Sequence, residues 1–417
     1  MSRVTSIGSY LPPWQVKGHR VKGVDEDAIT MAVAAGRAAD AAAVAKRLVV
    51  VSRDFPLLEG GNGAVLLAGL GLSASLPVTE VLGGGPAALD QVASASPNTL
   101  IIATDDNVAS VGAVAVLVTD TGAGVDVLPT ARQTRSLPLH TRDGDGTRHE
   151  YVDPRLEREV GLRATARRLQ LADSDPLLAV AGATAAQLEG IVDTAGAIHA
   201  TATSAAAALR LLAEAVERKV LGLLVSFEQS EITAVSLRAG DGQPPVVRDE
   251  VPPRELPEVR VAEGVGIPIS LPAYARAFEP KIRWEAAVFD ERPGIDSVPQ
   301  FPPRARVDDY GVLAADYRLE PLPRTGAVYT HTTVRIPVPD LPSPYSLAVI
   351  QLDNSPVRVL LKVTGVPAGE TTIGQRGAVV LRRIAMRSGI PDYGYAFWPG
   401  RGPGPGDLDQ SREGALA

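Results

Sequence analysis

Few residues in this chain are equipped for chemistry. Its 417 residues include no cysteine and only five histidines. Disulfides, thiolate metal sites and covalent catalysis by a sulfur nucleophile are therefore excluded for this polypeptide. The most suggestive motif is a turn that lacks a reactive group. In Glu80-Val81-Leu82-Gly83-Gly84-Gly85-Pro86 an apolar strand runs into three glycines and then a helix start. A turn of this kind presents a nucleophile or cradles a phosphate at a helix N-terminus. No P-loop lysine follows it, so the glycines read as a frame that passes the chain through unusual dihedral angles. Two further candidates for acid/base work are Glu59, ahead of Gly60-Gly61, and His199, within Gly196-Ala197-Ile198-His199-Ala200. An imidazole titrates near pH 6.5 and suits proton transfer. Their plainer readings are a helix-capping or surface glutamate and a packed or interface histidine. The adjacent acids Asp308 and Asp309 have no histidine beside them, and read as a solvated turn rather than a metal site.

The elements that must position these groups alternate. Strands are expected at Val4 to Leu11, Arg47 to Ser52, Thr79 to Leu82, Thr99 to Ala103 and Gly112 to Thr119. Helices fall between them: Asp25 to Ala45 with Asp25 as its candidate cap, Gly60 to Gly69, and Pro86 to Ala95. This alternation predicts an α/β sheet with parallel crossovers. Residues 130–153 are polar and read as an excursion. A second, shorter α/β series follows, with strands at Leu177 to Ala181, Val220 to Phe227 and Thr233 to Leu237 and a helix over Ser204 to Arg218. Prolines among charges mark 241–267 as a linker. Beyond it the chain turns to β, with strands at Gly326 to Arg335, Tyr345 to Leu352, Val357 to Val363 and Gly377 to Met386. Short strands punctuated by glycine and proline predict a small closed barrel. The Gly/Pro-rich 399–417 reads as a disordered tail.

Two resemblances follow from these segments. Ile7-Gly8-Ser9-Tyr10-Leu11-Pro12, the glycine turn and Asn98 to Asp105 resemble the hydroxymethylglutaryl-CoA synthase and ketosynthase-III-like branch of the thiolase superfamily, shortened to residues 1–240. That resemblance implies a layered α/β fold of duplicated halves. It also implies a cysteine at Gly84 or Gly85 and a catalytic histidine after Leu177 to Ala181, where Ala181-Gly182-Ala183-Thr184 stands instead. Residues 268–398 resemble DUF35 proteins, in which a helix and a zinc ribbon precede an OB-fold. The resemblance rests on Pro299-Gln300-Phe301-Pro302-Pro303-Arg304, Leu322 to Thr332, Pro344 to Asp353, and Ile373-Gly374 leading into Val379-Val380-Leu381. Where that family carries its Cys-x-x-Cys-Gly, this chain has Arg306-Val307-Asp308-Asp309-Tyr310-Gly311, so a ribbon remnant without zinc is expected.

The composition, 45% hydrophobic and 21% charged with a net charge of −7, is that of a globular chain and disfavours a phosphate-backbone-binding role. Aromatic residues make up only 4%. Tyr329, His331 and Tyr345 on the barrel strands therefore do not read as a nucleic-acid stacking platform, and Tyr329 with His331 reads as a partner or acyl-chain contact. Alternation places Tyr329 and His331 on one face. No membrane-spanning run or signal segment is evident, and the expected location is cytoplasmic. The expected function is that of a noncatalytic auxiliary subunit. It would pair with a cysteine-bearing thiolase, ketosynthase or synthase homologue as a dimer or hetero-oligomer, with no catalytic residue and no cofactor of its own. Acyl-CoA or an acyl carrier protein thioester is the expected ligand. The alternatives are an acyl-CoA C–C lyase or aldolase-like enzyme working by acid/base groups, and an acyl-CoA-binding scaffold.

Overall fold

The computed structural model describes residues 1–107, 110–135, 140–143, 147–169, 176–228, 231–264, 271–337, 339–387 and 389–404. The first half of the α/β part contains β1 (Ser2–Leu11), α1 (Ala28–Ala39), β2 (Arg47–Ser52), α2 (Asn62–Leu70), β3 (Val78–Leu82), α3 (Gly85–Ala93), β4 (Thr99–Asp105) and β5 (Gly112–Thr119). The second contains β6 (Gly124–Thr134), β7 (Leu177–Ala181), β8 (Ile198–Ala200), α4 (Ala205–Arg218), β9 (Gly222–Phe227) and β10 (Glu231–Gly242). All ten strands share one sheet in the order β8-β7-β9-β10-β6-β1-β5-β4-β2-β3.

Both halves have the same internal order: third strand, second, fourth, fifth, first. They meet antiparallel at β1 and β6. In each half the second strand lies parallel to the third and fourth, and the fifth runs antiparallel to its neighbours. This is the duplicated thiolase-like α/β fold that the resemblance implies. The antiparallel fifth strand departs from the all-parallel reading, because the short connection between β4 and β5 leaves no room for a crossover helix.

The central strands are apolar on both faces because helices cover both sides; every residue of β4 is buried. The cap of helix α1 lies two residues later than the sequence suggests. Asp27, not Asp25, is its N-cap, in a capping box with Thr30, and Asp40 ends it by accepting from the amides of Val44 and Ala45. Helices α3 and α4 pack against each other across the pseudo-dyad, on a core that includes Leu89, Val92, Leu209 and Leu212.

Three further segments differ from their sequence reading. The excursion at 130–153 is partly sheet: β6 runs on to Thr134 against β10, and His140–Arg142 pairs with Arg148–Glu150. The proposed linker is built into the α/β part. Its β11 (Val246–Glu250) pairs in parallel with β1, and Arg254–Glu255 pairs with Trp14 and Gln15. The flanking prolines that suggested a linker sit at strand ends, where a missing amide costs little. Of the expected tail, Arg401 forms an ion pair with Asp249, while 405–417 lie outside the described residues.

After helix α5 (Leu271–Arg283), where a ribbon remnant is expected, the chain forms a two-stranded sheet in which Glu285–Phe289 pairs with Tyr317–Pro321. Here Asp308 closes the loop at the expected ligand position, its Oδ1 accepting from the amides of Tyr310 (2.9 Å) and Val312 (2.8 Å). Ion pairs Arg292–Asp316 and Arg306–Asp296, each 2.8 Å, tie the strands around a small core of Ala287, Phe289, Ile295 and Ala314.

The barrel consists of β12 (Thr325–Val334), β13 (Tyr345–Leu352), β14 (Arg358–Val363), β15 (Arg376–Arg387) and β16 (Ile390–Pro399), closed in the order β12-β13-β14-β16-β15. The fifth strand, β16, is absent from the sequence reading because Pro391, Gly394 and Pro399 read as turn residues. It closes the barrel through Lys362↔Ala396 and Val363↔Phe397. A register shift between Val328 and Thr330 leaves Tyr329 as a bulge, which breaks the expected alternation with His331.

One apolar core joins the two folds. Ile29, Val33 and Leu66 of the α/β part pack with Val379, Leu381 and Phe397 of the barrel. Each such fully buried side chain contributes roughly 1.5–3 kcal/mol of transfer free energy. Among the described residues no helix is long and apolar enough to cross a membrane.

Candidate functional site

Open α/β sheets place their ligand sites at the carboxyl ends of parallel strands. Here those ends are Ser52 to Asp54 after β2, Gly83 to Gly85 after β3, Asp105 and Asp106 at β4, Gly182 after β7, Thr203 after β8, and Ser226 to Glu228 at β9. The glycine turn is anchored from both halves: the Gly83 amide donates to Ser52 O (3.2 Å) and the Gly85 amide to Thr203 O (3.1 Å).

Gly84 is the N-cap of α3 and Pro86 sits in its first turn. A Cβ on Gly84 would lie 1.8 Å from Glu228 Oε1 and 2.5 Å from the Thr203 carbonyl oxygen. One on Gly85 would lie 2.2 Å from Ser226 Oγ. At Gly84 the backbone oxygen of Thr203 leaves no room for a side chain, whereas at Gly85 the Ser226 hydroxyl would have to turn away to admit one. In the stretch Ala181-Gly182-Ala183-Thr184, where a histidine is expected, Gly182 has φ +80°, and a Cβ there would lie 2.0 Å from the Phe227 carbonyl oxygen. Gly84 and Gly182 are thus each closed to a side chain by a backbone carbonyl oxygen.

Carboxylates occupy this end of the sheet, arranged with the same twofold logic as the strands. Asp105, at the end of β4, accepts from the Ala206 amide (2.7 Å) and so caps α4 of the other half. Glu228, after β9, lies against Gly84 at the start of α3 in the first half, with its second oxygen paired to Arg53. Burial pushes the Asp105 carboxyl up to about 7, partly offset by the Ala206 amide. Burial also raises Glu228 to about 7, against the pull of Arg53 and with help from Glu231. Glu228 Oε1 and Ser226 Oγ are buried without a hydrogen-bond partner among the described residues. For Asp54, burial is outweighed by Arg148 (2.8 Å) and by donors from Asp106 and Asn107, which together hold its carboxyl below the usual range. Asp105 and Glu228 can hold and exchange protons near neutrality, while Asp54 stays ionised.

The sequence-predicted residues are only partly brought together. Gly83, Gly84 and Gly85 form the centre of this end of the sheet. Glu59 is exposed in the turn before α2, and His199 is exposed on β8, opposite Val180; neither side chain makes a hydrogen bond or ion pair among the described residues. The sequence reading missed Asp105, Ser226 and Glu228. Their only signal was position, polar residues at the end of continuous apolar strands. No group of three or more histidine, aspartate or glutamate side chains is placed to hold a metal among the described residues.

Residues 319–382 match the family model described as ChsH2, C-terminal OB-fold domain. No curated protein matches the chain. Among solved structures, 3-oxoacyl-[acyl-carrier-protein] synthase III from Aquifex aeolicus VF5 is 16% identical, with 57% of this chain and 100% of that chain covered and a TM-score of 0.47. A variant of OleA from Xanthomonas campestris is 12% identical over 57% of this chain and 98% of its own, with a TM-score of 0.48. The HMG synthase of the curacin biosynthetic pathway is 13% identical over 57% and 81%, with a TM-score of 0.45. The strand order shows an α/β fold of two duplicated halves with thiolase-like topology, and it is joined to a closed barrel that carries the OB-fold match over residues 319–382.

Proposed function

We propose that this chain is a noncatalytic subunit that pairs with a cysteine-bearing thiolase-, ketosynthase- or synthase-like enzyme and helps to shape that partner's acyl-thioester site. The observation that carries this reading is the packing of Gly84 against Glu228 and Thr203 at the turn where a nucleophile would stand. A fold kept intact around a filled nucleophile position is kept for its surfaces. The substrate would be an acyl-CoA or an acyl carrier thioester held by the partner, and the chain itself would need neither zinc nor another cofactor. Co-expression with a cysteine-bearing homologue, followed by size-exclusion chromatography, tests the pairing. A stable co-eluting complex is expected, and a chain that elutes alone with every such partner would contradict it.

A second reading has one observation in its favour. Glu228, with a carboxyl titrating near 7 and one unpartnered oxygen, has the character of a general acid or base. An acyl-CoA lyase or aldolase-like activity would use it without a covalent intermediate. In that case the purified chain alone would cleave an acyl-CoA substrate, and Glu228→Gln would reduce kcat by 100-fold or more.

A further inference from the structure

A cleft of about 550 Å³ lies between α5, the Phe301-Pro302 segment and barrel strands β13 to β16. Its lining carries five charged side chains, all cationic: Lys281, Arg304, Arg358, Lys362 and Arg387. The protein as a whole bears a net charge of −7, so this concentration of positive charge runs against the composition.

Among the described residues only Arg387 has a carboxylate partner, Asp392 at 2.7 Å. Arg358 bonds the neutral Gln351 (2.8 Å) and stacks on Tyr329, and Lys362 donates to the Ile384 carbonyl (2.8 Å). Lys281 and Arg304 make no side-chain hydrogen bond or ion pair among the described residues. Like charges gathered without counter-ions are costly, and in a concave, low-dielectric setting they focus a field that attracts anions. Burial pushes the Lys362 ammonium below the ordinary lysine range; Asp25 pulls it back and Arg387 adds to the depression. The floor between the cations is apolar, formed by Leu341, Leu347 and Leu361 with Leu360 at its exposed side.

We infer that this cleft binds a small molecule carrying two or more adjacent phosphate groups. Several dispersed donors around a concave floor fit an oligoanion, and the two guanidinium groups free of carboxylates supply the planar forks that phosphate oxygens prefer. The volume is in the range of small-molecule sites. The inference is independent of the proposed pairing, since it rests on the barrel and α5 alone.

Calorimetric titration of the full-length protein tests it, with inorganic pyrophosphate, adenosine 5′-diphosphate and acetate as probes. Pyrophosphate and the nucleotide are expected to bind and to weaken with added salt, while acetate does not bind. A tighter nucleotide indicates recognition of the base and sugar; equal affinities indicate a bare phosphate site. The double variant Lys281→Ala/Arg304→Ala, at two positions without side-chain partners, is expected to keep its melting temperature and lose at least tenfold in affinity for both. Absence of binding by both phosphates at millimolar concentration would overturn the inference, as would acetate binding equally well or unchanged affinity in the double variant.

Discussion

Gly84→Ala reads the filled nucleophile turn most directly. The Glu228 carboxylate is able to swing away from the new methyl, but the Thr203 carbonyl, held by the Gly85 amide, is not. The variant is expected to lose about 1–3 kcal/mol of stability in urea unfolding, as overpacked cores do. Adding Glu228→Ala should restore only part of the loss. Asp105 gives a pH test. Its folded-state carboxyl titrates near 7, above its unfolded value, so the folded protein binds the extra proton between roughly pH 4 and 7. Its contribution is therefore complete at low pH and is lost as pH rises through 7, a change on the order of 2–4 kcal/mol. Urea midpoints at pH 5 and pH 8 should differ less in Asp105→Asn than in the parent, and an equal difference would place the titration elsewhere. Sequence reading finds the glycine turn because Gly83 to Gly85 are consecutive. It misses Glu228 because that contact joins two halves of the chain far apart in sequence.

At the scale of elements, the barrel is fastened to the α/β part by a buried polar cluster. Arg382 of β15 donates to Tyr10 Oη (3.1 Å) and lies 3.3 Å from Glu26; Tyr10 in turn bonds Glu26, and Tyr393 of β16 donates to Asp27 (2.8 Å). Removing one member of a buried ion pair typically costs 3–5 kcal/mol. Arg382→Met is expected to fall in that range, with faster amide exchange in both α1 and β15. Burial already raises the Glu26 carboxyl, so Glu26→Gln in the same background should recover part of the loss. Asp308→Ala is a local counterpart. Loss of two amide hydrogen bonds should speed exchange at Tyr310 and Val312 and cost about 1–2 kcal/mol. The strands that the sequence makes legible are the continuous apolar runs, such as Arg47–Ser52, whose bounds the structure reproduces. The strands it conceals, Val246–Glu250 and Ile390–Pro399, are interrupted or flanked by proline and glycine, and they form because neighbouring strands supply their pairing. Tertiary context overrides local propensity there.

For the molecule as a whole, the shared core predicts that two recognisable folds behave as one unit. Calorimetry is expected to show a single unfolding transition, because opening the barrel exposes Val33 and Leu66 as well as Leu381 and Phe397. Two separated transitions would mean that the interface is weaker than its burial indicates. The absence of cysteine from the sequence and the close packing at Gly84 and Gly182 bear on where the proposed pair would carry out its chemistry. The central measurement is intact-mass detection of acyl adducts on both chains, together with turnover, after an acyl thioester is mixed with a cysteine-bearing partner, with and without this protein. The expected result is an adduct on the partner alone, forming faster when this protein is present. Turnover by this protein on its own at the rate of the mixture, or a partner rate unchanged by its presence, would contradict an auxiliary role.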